Sequence, residues 1–164
     1  QRISNDPKQR DRRKIVEAWV EKMVRAIRKH DRDGLITVGV IPWAQVWPNA
    51  KPLFYSPEVA RHLDFVSVHF YPKKGEVEKT LAALAVYDIG KPLVVEETFP
   101  LSCSLQELDE FIQGAAFRVD GWISHYFGNS IEEHAAGAKP SGELTARFLE
   151  YWKDKGAMIL AGQE

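Results

Sequence analysis

Apolar and polar positions along the chain switch repeatedly between two periods. Between Asp11 and His30, Val16, Trp19, Val20, Met23, Val24 and Ile27 recur at three- and four-residue spacing, which predicts a helix with one apolar face. Asp11 stands where it can cap that helix, and Gly34 lies just past its basic end. Residues 35–41 then form a near-continuous apolar run, the pattern of a buried parallel strand. Trp43 to Tyr55 reads as a long aromatic loop, and Ser56-Pro57-Glu58 predicts a short helix over 57–62 with proline at its first position. A second strand is predicted over 64–71. A helix over 76–87 follows, with Val77, Leu81, Leu84 and Ala85 on one face, and then a third strand over 92–98.

Ser104-Leu105-Gln106-Glu107 is a capping box opening a helix that carries Leu108, Phe111, Ile112 and Ala115 inward. The fourth strand is predicted over 121–127. A loop of small residues leads to Ser141, expected to cap a last helix over 142–155 that stops at Gly156. One helix followed by four strand–helix units predicts an α/β fold with a parallel sheet. Four units make half of an eight-stranded barrel, or a small open sheet.

Candidate chemistry gathers at the strand ends. On the second strand, Val66, Val68 and Phe70 share one face, suited to helix packing, while Ser67, His69 and Tyr71 share the other. The third strand runs from the apolar Pro92-Leu93-Val94-Val95 into Glu96-Glu97, and an acid there is costly to bury unless it has a partner or a task. Alternation puts Leu93, Val95 and Glu97 on one face and Val94 and Glu96 on the other. It therefore separates the two acids, and if Val94 packs outward on helices, Glu97 points into the mouth of the barrel. Trp43 and Trp47, with the aromatic end of the fourth strand, offer apolar platforms of the kind that sugar rings stack on.

These residues resemble the C-terminal half of a glycoside hydrolase of clan A, most like family 5, the cellulase–mannanase family. Residues 31–39 resemble its fifth strand and the helix before it. Val68-His69-Phe70-Tyr71-Pro72 resembles its sixth-strand His-x-Tyr motif, Lys91 to Thr98 its seventh strand, and Gly121 to Gly128 its eighth. The resemblance implies a (βα)4 half of a TIM (β/α)8 barrel and a retaining hydrolase of β-linked polysaccharide or oligosaccharide. It implies Glu97 as nucleophile, His69 and Tyr71 as its supports, and substrate contacts from Trp43, Trp47, His125 and Phe127. The family's acid/base sits in Asn-Glu-Pro at the end of the fourth barrel strand, and nothing here matches it: Asn5-Asp6-Pro7 has no apolar strand before it and reads as a turn. The family's eighth-strand Trp is also unmatched, since Trp122 comes too early. A retaining enzyme needs two carboxyls about 5–5.5 Å apart, so the chain alone is expected to be inactive or nearly so. An alternative is a non-catalytic carbohydrate-binding or structural remnant.

Composition narrows the partners. A net charge of −1 gives no electrostatic case for nucleic acid or an anionic membrane, and the basic stretches 10–14 and 25–32 read as a solvated helix face. Cys103 stands alone, which excludes an internal disulfide and suits an incidental thiol. No apolar stretch is long enough to cross a bilayer. The chain starts at Gln1-Arg2 without an initiator Met, which reads as a processed or truncated chain, and the resemblance implies an extracellular or periplasmic setting. No metal-ligand spacing links His30, His62, His69, His125 and His134, so neither metal nor cofactor is expected. No Gly-rich nucleotide loop follows any strand. Open edges of a half barrel invite pairing, so the chain is expected either to form a homodimer or to belong with a missing N-terminal half.

Overall fold

A computed structural model of the chain describes residues 11–137 and 140–162; Asn5-Asp6-Pro7 lies outside them. The element order is α1 (Arg12–Arg28), β1 (Gly39–Val40), α2 (Trp43–Val46), α3 (Pro57–Ala60), β2 (Val66–His69), α4 (Val77–Leu84), β3 (Leu93–Thr98), α5 (Leu105–Ala115), β4 (Gly121–Ser124), α6 (Ile131–Ala136) and α7 (Pro140–Leu160). The four strands form one sheet in the order β1-β2-β3-β4, every neighbouring pair parallel. This is the α/β arrangement that alternating strand and helix patterns call for, and it is compatible with half of a barrel.

The core lies between the helices and one face of this sheet. Val66, Val68, Phe70, Leu93 and Val95 meet Leu84, Leu108, Phe111, Ile112 and Phe148 there, all buried. Aromatic edges run through it: Phe70 touches Tyr87 and Phe111, and Phe111 meets Trp122 edge-on at 5.5 Å. The early Trp122 is thus occupied in the core. Capping works as the sequence proposes at Asp11, whose carboxylate accepts Lys14 N–H at 3.2 Å, and at the reciprocal Ser104–Glu107 box. Only one side of the apolar face of α1 is used. Val20 is buried and Val16 and Val24 pack on the core, whereas Trp19, Met23 and Ile27 remain exposed.

Several boundaries differ from expectation. The first strand, expected over 35–41, forms only at Gly39–Val40, because side chains take its ladder bonds. Asp64 accepts the N–H of Ile36 at 2.7 Å, and Thr37 Oγ1 donates to the carbonyl of Phe65 at 2.8 Å. The Tyr55 hydroxyl inserts between the strands, accepting Ser67 N–H at 2.8 Å and bonding the carbonyl of Val38. β2 and β4 are shorter than the predicted 64–71 and 121–127. The expected aromatic loop contains α2 and a 3₁₀ turn over Leu53–Tyr55. The small-residue loop contains α6, opened by a Ser130–Glu133 capping box that the sequence reading passed over. The last helix begins at Pro140, so Ser141 lies inside its first turn, and it runs through Gly156 to Leu160. A buried lysine secures that extension: Lys155 pairs with Asp109 of α5 at 2.8 Å. Cys103 is half-buried, and burial reinforced by the Glu107 charge pushes its thiol up to about 11, which suits an unreactive thiol.

Candidate functional site

The C-terminal ends of the parallel strands bring three titratable side chains around one carboxylate, that of Glu97. β2 alternates as expected: Val66, Val68 and Phe70 face the helices, and Ser67, His69 and Tyr71 face the other way. β3 does not alternate throughout. Leu93 and Val95 are buried in the core, which leaves Val94 on the open face beside Gly121. Val94 therefore does not pack outward on helices. Continued alternation would turn Glu97 into the core.

An extra residue in β3 prevents that. Against β2, Val68 pairs with Val95 and the next residue, His69, pairs with Glu97. Against β4, Val95 pairs with Trp122, and Thr98 with Ser124, three steps on β3 against two on β4. Both neighbours thus register one bulged residue, and a bulge re-aims the side chains around it. Thr98 takes the buried position. Glu96 and Glu97 both reach His69 instead of facing apart, which corrects the alternation argument that separated them.

The Tyr71 hydroxyl donates to Glu97 Oε1. Glu97 Oε2 is faced by His69 Nδ1 at 3.4 Å and by His125 Nδ1 at 3.3 Å. His69 Nε2 lies 3.0 Å from Glu96 Oε1. Each of the two carboxylate side chains is about a quarter exposed. Among the described residues no Lys or Arg forms an ion pair with either acid. Burial, then the hydrogen bond to Glu97 and its charge, raise the Tyr71 phenol well above its ordinary value, so it stays a neutral donor at physiological pH.

The structure therefore gathers His69, Tyr71, Glu97 and His125 from three strand ends, β2, β3 and β4. Main-chain bonding fixes His125, whose N–H donates to the carbonyl of Thr98 at 2.9 Å. Trp43 and Trp47 sit at the same end of the sheet, because α2 directly follows β1 and is tied to β2 by Gln45, which donates to the Tyr71 carbonyl at 3.0 Å. Their rings stack at 5.1 Å and both are about half exposed. Phe127 is different. It stands fully in solvent, in the loop that Tyr126 closes by bonding His134 and the carbonyl of Asn129, and it is not brought to the carboxylates.

Two members of the cluster went unassigned from sequence, Glu96 and Gly39. A Cβ on Gly39 would collide with the Glu96 carboxylate and would stand 3.2 Å from His69 Nε2. A lone glycine in a strand pattern signals such a close approach, and that signal was present in residues 35–41. A cleft of about 870 Å³ lies elsewhere, lined by Tyr55, Pro57, Ala60, Val86 and Lys91, and includes none of the clustered acids or histidines. Among the described residues no group of His, Cys, Asp or Glu is arranged to hold a metal ion, and no helix is long and apolar enough to cross a membrane. No family model, no curated protein and no solved structure matches the chain.

Proposed function

We propose that the chain is the (βα)4 half of a (β/α)8 barrel from a retaining glycoside hydrolase resembling clan A, family 5, with Glu97 as its nucleophile. The observation that carries this reading is the setting of Glu97: a carboxylate at the C-terminal end of a parallel strand, held by a neutral Tyr71 donor and faced by two imidazoles. Tyr71 holds Oε1 and fixes the rotamer. Oε2, with its longer contacts, is the oxygen that attacks the anomeric carbon and forms the glycosyl ester that water later hydrolyses. Trp43 and Trp47 supply a stacking platform for β-linked sugars beside it.

The acid that protonates the leaving oxygen is not Glu96, because the His69 ring stands between Glu96 and Glu97 where a sugar would have to lie. Without such an acid the chain forgoes roughly 10²–10⁴-fold in rate, and natural polysaccharides should turn over barely or not at all. Leaving groups that depart unprotonated bypass that need. Incubation with dinitrophenyl 2-deoxy-2-fluoro-β-glucoside and -mannoside, followed by intact and peptide mass spectrometry, should give a glycosyl adduct on Glu97 that Glu97→Gln abolishes. No adduct from either sugar would overturn the assignment.

The exposed Trp43–Trp47 pair also favours a second reading, a carbohydrate-binding half barrel without catalysis. On that reading β-glucan or mannan binding is lost in Trp43→Ala and no adduct forms. In either case the edges at β1 and β4, unpaired among the described residues, need cover, supplied by a second copy or by further polypeptide. A stable monomer in light scattering, with no dye-binding apolar surface, would argue against that cover.

A further inference from the structure

Glu96 has no step in the reaction above, yet its surroundings are shaped around it. The bulge in β3 turns it onto the open face, where its Oε1 meets His69 Nε2 at 3.0 Å. On the far side stands Gly39 of β1. Its backbone is not in the left-handed region, so conformation does not call for glycine there. Space bears on it instead: a Cβ would come within 1.9 Å of Glu96 Oε1, so the end of that side chain would have to shift away from its contact with His69. Three adjacent strands thus each contribute one part, a gap from β1, an imidazole from β2 and an acid from β3.

The imidazole faces a carboxylate at each nitrogen, Glu96 at Nε2 and Glu97 at Nδ1. A ring with a single proton can serve only one of them. The Glu96 contact is the shorter, 3.0 Å against 3.4 Å, and bonds to charged acceptors are the strong ones. We infer that Glu96 is a positioning residue that keeps the ring proton of His69 on Nε2, so that Nδ1 is the nitrogen presented to Glu97, with Gly39 as the seat that admits it. The titratable groups around the ring are Glu96 and Glu97 from β3, Tyr71 from the end of β2, and His125 across the Glu97 carboxylate; β1 presents only Gly39. Held this way, His69 turns its unprotonated Nδ1 toward the proposed nucleophile. A second-tier carboxylate that orients a histidine is an economical way to fix such a tautomer.

This deepens the reading of Glu97 as nucleophile and rests on it for its purpose, but its test needs no sugar. Long-range ¹H–¹⁵N correlation spectra of the ¹⁵N-labelled chain, taken at alkaline pH where the ring holds one proton, report which nitrogen carries it. His69 should hold its proton on Nε2 with a preference of at least about tenfold. In Glu96→Ala the remaining carboxylate is Glu97, and the proton should move to Nδ1. Glu96→Gln, whose amide oxygen still accepts, should restore Nε2. Gly39→Ala should behave like Glu96→Ala, with circular dichroism showing each variant folded. A proton that stays on Nε2 in Glu96→Ala, or a ring unaltered by Gly39→Ala, overturns the inference. The two proposals fail separately: a missing glycosyl adduct with the tautomer switch intact removes the hydrolase reading alone. A retained adduct without the switch removes only the role of Glu96.

Discussion

The two ends of the sheet use the same chemical group in opposite ways. At the N-terminal end, Asp64 accepts the N–H of Ile36 at 2.7 Å and the Arg28 guanidinium at 2.7 Å, and returns its own N–H to the Ile36 carbonyl at 2.8 Å. Asp120 repeats the arrangement one strand pair along, accepting Leu93 N–H at 2.9 Å and donating to the Leu93 carbonyl at 2.8 Å. Between them Pro92 has no N–H to give, and the Val66 N–H reaches its carbonyl instead, at 2.8 Å. These acids extend the ladder where the strands begin. At the C-terminal end, Glu96 and Glu97 meet side chains that can themselves gain or lose protons. An acid satisfied by main-chain N–H groups belongs to the framework. One satisfied by titratable side chains can change partners, which chemistry at a strand end requires.

That contrast is broken most directly by removing the framework acids. Asp64→Ala leaves the Ile36 N–H without its acceptor and the Arg28 guanidinium with only the Gly34 carbonyl, and should cost about 2 kcal/mol, since both lost bonds are charge-assisted but partly exposed. Asp120→Ala strands one N–H at the start of β3 and should cost about 1–2 kcal/mol. Urea unfolding should show both as a lower midpoint at unchanged slope. Glu96→Gln and Glu97→Gln should stay within about 0.5 kcal/mol of the parent chain. If Glu97→Gln destabilises as much as Asp64→Ala, the two ends do not differ in kind.

The two ends of the sheet are unequally legible in the sequence. Element order and sheet sense follow from apolar periodicity, and the Asp11 and Ser104–Glu107 caps follow from local chemistry that needs no distant partner. His69 and Tyr71 share one face of the sheet, as alternation along β2 predicts. Glu97 reached the open face for a reason that alternation could not supply: the bulge depends on how β3 registers against both neighbours, a relation between strands far apart in the chain. The shortness of β1 was hidden for the same reason, since the Tyr55 hydroxyl that interrupts its pairing lies 12 residues from Ser67 in the chain and belongs to a turn. Phe127 shows the limit of composition, because an aromatic residue after a strand can point anywhere the loop allows.

The smallest expected effect is also the one that reads the C-terminal strand ends most directly. Burial first, and Glu97 second, raise the Tyr71 phenol. An unfolded tyrosine loses its proton near pH 10, whereas folded Tyr71 keeps its proton to higher pH. Between those points the unfolded chain binds fewer protons, so stability must fall as pH rises, and it is fully present below the unfolded value. Tyr55 and Tyr87 are raised as well, chiefly by burial, and form a background common to every variant. Tyr71→Phe should remove the Tyr71 share of the alkaline loss. Glu97→Gln removes the carboxylate's share and leaves that of burial, so its thermal midpoints from about pH 8 to about pH 11 should fall less steeply than those of the parent chain but more steeply than those of Tyr71→Phe. Parallel curves for Glu97→Gln and the parent would mean that the Glu97 carboxylate does not act on Tyr71, and the strand-end cluster would lose the contact that anchors its proposed nucleophile.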